Sequence, residues 1–278
     1  MIYLTLAIVS SMAVAVVMRL SEKHIRNNIS MLASNYLMCS VLAGLYAGGL
    51  WGGFAQEGIG FAAGLGLVSG AFYLFSFMLY QWDIRVNGVT LSALFMKMGV
   101  IVSILTAVCF FGEVPGALQV AGMLIACAAI LVIHLEKGSS RVKSGVGLIA
   151  LFIAGGLTDA MAKVYEELGV ASLKNGYLLF TFVSAFVLCV AICLYKKQGL
   201  EKADLGFGLL IGIPNYFSAR FLLYALSQVP AVIAYPTYSV GSIVAVMLVS
   251  RVVFGERLSR RQIIALVMIL VALVLLNI

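Results

Sequence analysis

Ten stretches of this chain run for roughly the length of a membrane-spanning helix with almost no charge inside them. They lie at 2–20, 31–51, 59–81, 89–111, 116–135, 144–164, 174–195, 204–227, 231–253 and 258–277. About 20 apolar residues in a helix cross the hydrocarbon core of a bilayer. The chain is 63% hydrophobic and 10% charged, where a soluble domain carries about 25% charge. A soluble fold of 278 residues cannot bury that much apolar side chain. In lipid the backbone must satisfy its own hydrogen bonds, so the runs are expected to be helices. The fold class expected is an all-α membrane protein with ten transmembrane helices. The connections are short, so consecutive helices are antiparallel neighbours and no soluble domain fits between them. The first run lacks a basic leading region and reads as a membrane helix, not a signal peptide.

The runs repeat. Residues 89–111 close with Phe111-Gly112-Glu113 and are followed by an apolar run. The same order returns 143 residues later, closing with Phe254-Gly255-Glu256. Gln119 and Gln262 hold the same place in the runs that follow. Gly64-x-Gly66-x3-Gly70 is matched by Gly206-x-Gly208-x3-Gly212. Small residues four apart let helix backbones approach closely, so these glycines mark helix seams. A duplication explains all of this. The polar connection EKGSSRVKS joins the halves: first repeat 1–137, linker 138–143, second repeat 144–278. Five helices per half is an odd number, so the second half enters the membrane with the opposite sense. Inverted repeats of this kind are a common construction of secondary transporters.

Lysine and arginine are unevenly placed. Connections after the odd-numbered runs hold Lys23, Arg26, Arg85, Lys137, Arg141, Lys143, Lys196, Lys197, Lys202, Arg257, Arg260 and Arg261, while the other side has little beyond Lys174. The rich side belongs in the cytoplasm, which places both termini outside. The net charge of +7 is accounted for by these loops. No nucleic-acid partner is expected, because no basic face or binding motif is present. Cys39, Cys109, Cys127, Cys189 and Cys193 all lie in apolar runs, so neither a disulfide framework nor a metal site is expected.

Ionisable residues inside a membrane helix are costly and are functional candidates by default. Lys97 lies near mid-depth in the fourth run, with no acid one turn away on its own helix. Either it faces a cavity or an anionic ligand, or an acid on another helix neutralises it. Arg220 follows Asn215, Tyr216 and Ser218 in the eighth run, after Pro214, which is expected to break the helix and free a carbonyl near Leu210. A polar, broken stretch lines protein or a cavity, not lipid. A clamp between helices is the other reading of Arg220. Tyr235-Pro236-Thr237-Tyr238 in the ninth run has the make-up of a substrate wall, or of ordinary packing.

Asp159 is the acid well inside an apolar run. It has two readings: a helical pair with Lys163 four residues on, or a proton-coupling carboxylate. Lys163 and Arg19 read as ends that snorkel to the surface. Asn35 and Tyr36 in the second run, and Tyr73, are weaker candidates. Tyr80 and Trp82 read as interface anchors. Glu113 and Glu256 are expected to cap the helices that follow them. His24 and His134 lie at run ends and are unpaired. No phosphate-binding loop, metalloprotease motif or nucleophile elbow is present, so an ATP-driven pump or an enzyme is not expected.

With two five-helix halves, the two Phe-Gly-Glu closures, the glycine pattern and Ala160-Met161-Ala162-Lys163, the chain resembles the EamA-type permeases of the drug/metabolite transporter superfamily over its whole length. That resemblance implies a basket of helices around a central cavity, with the fifth and tenth helices peripheral. It also implies solute movement by alternating access, without ATP or a cofactor. Members are often drawn with cytoplasmic termini, and the charge count here argues the reverse. The substrate expected is a small polar organic metabolite, anionic or zwitterionic, because Lys97 and Arg220 outnumber Asp159. Binding residues expected are Lys97, Arg220, Asn215, Tyr216, Tyr235, Tyr238 and Asn35, with Asp159 coupling a proton or ion. The alternatives are a lipid-head-group carrier or membrane scaffold, and an exporter of cationic drugs. A monomer is expected, since the duplication supplies both halves of a cavity; a homodimer stays open.

Overall fold

In the computed structural model, residues 1–48, 57–134, 143–253, 255 and 259–278 are described. Phe254, Glu256, Arg257, Lys137, Arg141 and most of the linker lie outside them. Every regular element among the described residues is helical. The helices are α1 (Ile2–Ser21), α2 (Asn28–Tyr46), α3 (Ile59–Asn87), α4 (Val89–Met98), α5 (Val100–Phe111), α6 (Ala117–His134), α7 (Gly145–Leu168), α8 (Lys174–Tyr195), α9 (Lys202–Leu226), α10 (Ala231–Val253) and α11 (Arg260–Leu276). Among the described residues, eight spans are long and apolar enough to cross a membrane, taking α4 and α5 together from Leu91 to Phe111; Ala117–Ile133 is apolar but shorter. The chain is an all-α, multi-pass membrane protein.

Three expectations about the helices are corrected. The run 89–111 is not one uninterrupted helix. At Gly99 the amide is shared between Phe95 O and Met96 O, each at 3.2 Å, and Val102 N takes Gly99 O at 2.8 Å. The turn tightens toward 3-10 geometry there. Pro214 and Pro236, by contrast, break nothing: α9 and α10 run through them. A proline removes one i to i−4 bond, and the remaining turns hold these helices. Third, α3 and α7 outlast their apolar runs. Trp82 therefore lies inside α3, not at its end, and Glu166 lies inside α7.

The chain forms two compact units, each drawing on both sequence halves. Unit one comprises Met1–Leu74 and Val164–Ser227. In it, α9 packs on α1 and α2, and α8 packs on α2. The matched glycines mark seams. A Cβ on Gly66 would meet Tyr177 O of α8 at 2.8 Å, and one on Gly70 would strike Thr181 O. A Cβ on Gly208 would strike Met31 O of α2, and one on Gly212 would meet Asn35 O at 2.6 Å. Gly64 and Gly206, the first of each set, face open space. Overpacking costs about 1–3 kcal/mol, whereas alanine favours a helix over glycine by about 1 kcal/mol. Gly70→Ala and Gly212→Ala are expected to lower the melting temperature in detergent. Gly64→Ala and Gly206→Ala should leave it unchanged or raise it. Equal effects at all four positions would remove the seams.

Unit two comprises Phe75–Lys163 and Gln228–Ile278. Here α11 packs along α6 and α10 along α5. Leu94, Ala129, Ile130, Val240, Ala265 and Ile269 form part of its core. Gly99 lies against α7, where Ser103 Oγ donates to Gly156 O at 3.0 Å and a Cβ on Gly156 would strike Gly99 O. The repeated motif has a local job. Gly112 ends α5 in the left-handed region, at φ 67°, and Gly255 has the same φ. Only glycine adopts that conformation without cost, and it is a common helix stop. Gln119 Oε1 accepts from Gly116 N at 3.0 Å, and Gln262 Oε1 from Ser259 N at 2.8 Å, so both glutamines cap their helices in the same way.

Candidate functional site

The candidates divide between the two units. In unit two, Lys97 occupies the last turn of α4, one residue short of the Gly99 break. The residue keeps open surface, while its ammonium lies deep among protein atoms. The acid that acts on it across helices is Asp159 of α7, and each charge is felt by the other. Tyr235 of α10 is buried, and its hydroxyl donates to Asp159 O at 2.7 Å. Tyr238, one turn on, is half-buried. Lys97, Asp159 and Tyr235 are thus drawn together by α4, α7 and α10, which are far apart in sequence.

The expected pair of Asp159 with Lys163 is corrected. Lys163 Nζ instead meets Glu113 Oε1 at 2.6 Å and lies 5.8 Å over the Phe111 ring. Only 4% of its side chain is exposed, so it does not snorkel to the surface. The reach of a long ammonium toward a caged carboxylate outweighs the weak local i,i+4 geometry, worth about 0.2–0.5 kcal/mol. Glu113 is a helix cap, as expected, but not of the helix that follows it. Its Oε1 and Oε2 accept from Ala231 N at 3.0 Å and Val232 N at 2.9 Å, at the start of α10. Two orphan amides and the positive end of the helix dipole are satisfied there.

Burial alone would push the Glu113 carboxyl up. The hydrogen bond from Lys163, the two amides and the Lys163 charge outweigh it and hold the carboxyl below the usual range. A depressed carboxyl contributes stability that is fully present above its unfolded pKa, about 4.3, and is lost as pH falls through the lower folded value. The melting temperature is therefore expected to fall on acidification through this window, and to fall less steeply in Glu113→Gln. Identical profiles for the two proteins would contradict the assignment.

In unit one, Asn215 Nδ2 donates to Asn35 Oδ1 at 3.2 Å and approaches Cys39 Sγ at 3.6 Å. Two residues singled out in different runs thus meet where α9 crosses α2. Tyr216 is fully buried, and its ring stacks on Tyr46 at 5.9 Å. Arg220, half-buried, lies with Cζ 3.9 Å over the Tyr46 ring and 5.6 Å from the Tyr224 ring. Lys174, expected in an outer connection, is instead buried as the first residue of α8. It pairs with Glu166 at 2.6 Å and lies 5.5 Å over Tyr224.

Other polar residues escaped the sequence reading. Asp83 is fully buried and accepts from Asn87 Nδ2 at 2.7 Å and Ser92 Oγ at 2.9 Å, while Asn87 Oδ1 accepts from the amides of Lys143 and Ser144 ahead of α7. Asp204 is likewise buried and accepts from Arg26 N at 2.9 Å, just ahead of α2. Asp83 sits beyond its apolar run and Asp204 at the very start of one, where a solvated run end was the natural reading; the signal available was their position near a helix start. A cavity of about 310 Å³ in unit one is lined by Ser30, Ser34, Phe186, Cys193 and Gln198 among others, and by none of the expected binding residues.

Residues 144–278 match the model of a family described as the EamA-like transporter family. No curated protein matches the chain. One solved structure, described only as "Crystal structure of protein", shares the fold with a TM-score of 0.74 over 99% of this chain and 94% of that one, at 13% identity. At that identity the likeness concerns the fold alone.

Proposed function

From the match of residues 144–278 to the EamA-like transporter family, we propose that the chain is a membrane transporter of that kind, of the drug/metabolite transporter superfamily, and that it carries a small polar organic metabolite with a carboxylate or phosphate across the cytoplasmic membrane. It does so as a secondary transporter, by alternating access. The observation that carries this reading is the ammonium of Lys97, enclosed by protein at a helix break beside the charge of Asp159, on a residue that still keeps open surface. An ammonium in a membrane helix has few structural uses. With Lys163 engaged by Glu113, Asp159 is left to Lys97, so the two offer opposite charges to a zwitterion. Asp159 also serves as the coupling group, taking up a proton or ion.

We read residues 1–137 and 144–278 as inverted repeats. The paired glycines facing equivalent helices, the two left-handed glycines and the two glutamine caps support this. The charge count places the termini outside.

The experiment is a thermal-shift screen of the purified protein against amino acids, organic acids, sugar phosphates, nucleosides and quaternary amines, repeated on Lys97→Ala. A ligand of the native state raises the melting temperature by mass action. An anion or zwitterion that stabilises the wild type and not Lys97→Ala is the expected result. Stabilisation by a quaternary amine, unchanged in the variant, would turn the reading to a cation exporter.

A further inference from the structure

The aromatic cluster at one end of unit one has the chemistry of a binding site that the proposed solute contact at Lys97 does not use. Tyr46 ends α2, Lys174 starts α8, and Arg220 and Tyr224 lie in the last two turns of α9. Arg220 presents its flat face to Tyr46. A guanidinium carries five N–H donors in its plane, and stacking uses none of them. Among the described residues, no acid or hydrogen-bond acceptor meets that edge. The nearby Lys174 is neutralised by Glu166, so the Arg220 charge is the uncompensated one in the cluster.

A second observation is independent of the first. The Tyr216 hydroxyl is buried and has no hydrogen-bond partner, on a side chain with 0% exposure. Leaving such a group unsatisfied is costly, because it loses its hydrogen bonds to water and gains none in return. It cannot turn to water as an arginine can. Tyr216 and Arg220 are four residues apart on α9, on one helix face. Both lie against the same Tyr46 ring, and the Arg220 charge acts on the Tyr216 phenol.

We propose that unit one binds an oxyanion, a carboxylate or phosphate group, between the guanidinium edge of Arg220 and the hydroxyl of Tyr216, with Tyr46 as the platform that orients both. The anion supplies the acceptors both groups lack. It rests on the transport reading only for its role: this end of the helices is the outer one by the charge count, so the site receives solute from outside. The oxyanion comes from a free solute or from an anionic lipid head group.

The test uses the full-length protein in phosphatidylcholine nanodiscs. Inorganic phosphate is titrated calorimetrically in one arm. In the other, short-chain phosphatidylglycerol binding is followed by native mass spectrometry. The variants are Tyr216→Phe, Arg220→Lys and Lys97→Ala. At least one probe is expected to bind the wild type. Tyr216→Phe and Arg220→Lys should each weaken it about tenfold or more, and in Lys97→Ala the binding that depends on Tyr216 and Arg220 should persist. Tyr216→Phe should keep the ligand-free melting temperature, since no protein contact is lost. Binding of phosphate marks a solute site, and binding of phosphatidylglycerol alone marks a head-group site. Equal binding by wild type, Tyr216→Phe and Arg220→Lys, or no binding of either probe, overturns the proposal. Loss in Lys97→Ala alone also overturns it, and leaves the transport reading standing.

Discussion

Glu113→Ala is expected to be the most destabilising single substitution in unit two. One carboxylate there satisfies two amides at the start of α10 and neutralises Lys163, whose side chain is 4% exposed. Removing one partner of a buried ion pair costs up to about 3–5 kcal/mol, because the other charge loses its carboxylate. Lost capping adds about 0.5–2 kcal/mol. The sum is comparable with the whole stability of many domains, so the variant should unfold at much lower temperature or denaturant. The reason lies in Lys163, and a second variant isolates it. Lys163→Met in the Glu113→Gln background removes both charges and should recover much of the loss. If the double variant is no more stable than Glu113→Ala, the pair is not the cause.

Asp159→Asn is expected to have the largest effect on uphill transport. Amide for carboxylate keeps size and shape, and Tyr235 still donates to the backbone oxygen of residue 159, so the contact between α7 and α10 survives. What disappears is the charge facing Lys97 and the capacity to take up a proton. Accumulation against a gradient should therefore be lost while exchange of solute across a membrane without a gradient persists. Accumulation at the wild-type level in Asp159→Asn would remove Asp159 from coupling.

Much of this fold is readable in the residues themselves. Phe111-Gly112-Glu113 announces a helix stop because the left-handed turn needs glycine, and Gln119 and Gln262 announce caps because a side chain three residues into a helix reaches its first amide. The glycine spacing points to seams, though not to which helices they join. That limit recurs elsewhere. Gly99 reads as a tolerated glycine in an apolar run; what makes it a break is α7 crossing there at Gly156, distant in sequence. Lys163 has an obvious local acid in Asp159, and only the fold brings Glu113 nearer. Pro214 and Pro236 carry a strong local signal for interruption, and the surrounding turns override it. Glu166 and Asp83 were hidden by the same assumption, that a helix ends where its apolar run ends. Of the candidate site, Lys97, Asp159 and the tyrosines were legible as costly groups in lipid, while their grouping by unit was not.

The central claim is that Lys97 reads the anionic group of a carried solute. The direct measurement is uptake of the stabilising solute into proteoliposomes, with wild type and Lys97→Ala reconstituted at equal density and equal melting temperature. The account predicts saturable uptake by the wild type. In Lys97→Ala, uptake should fall by about ten- to hundredfold, the worth of one charged hydrogen bond. Uptake by Lys97→Ala at the wild-type rate would contradict it.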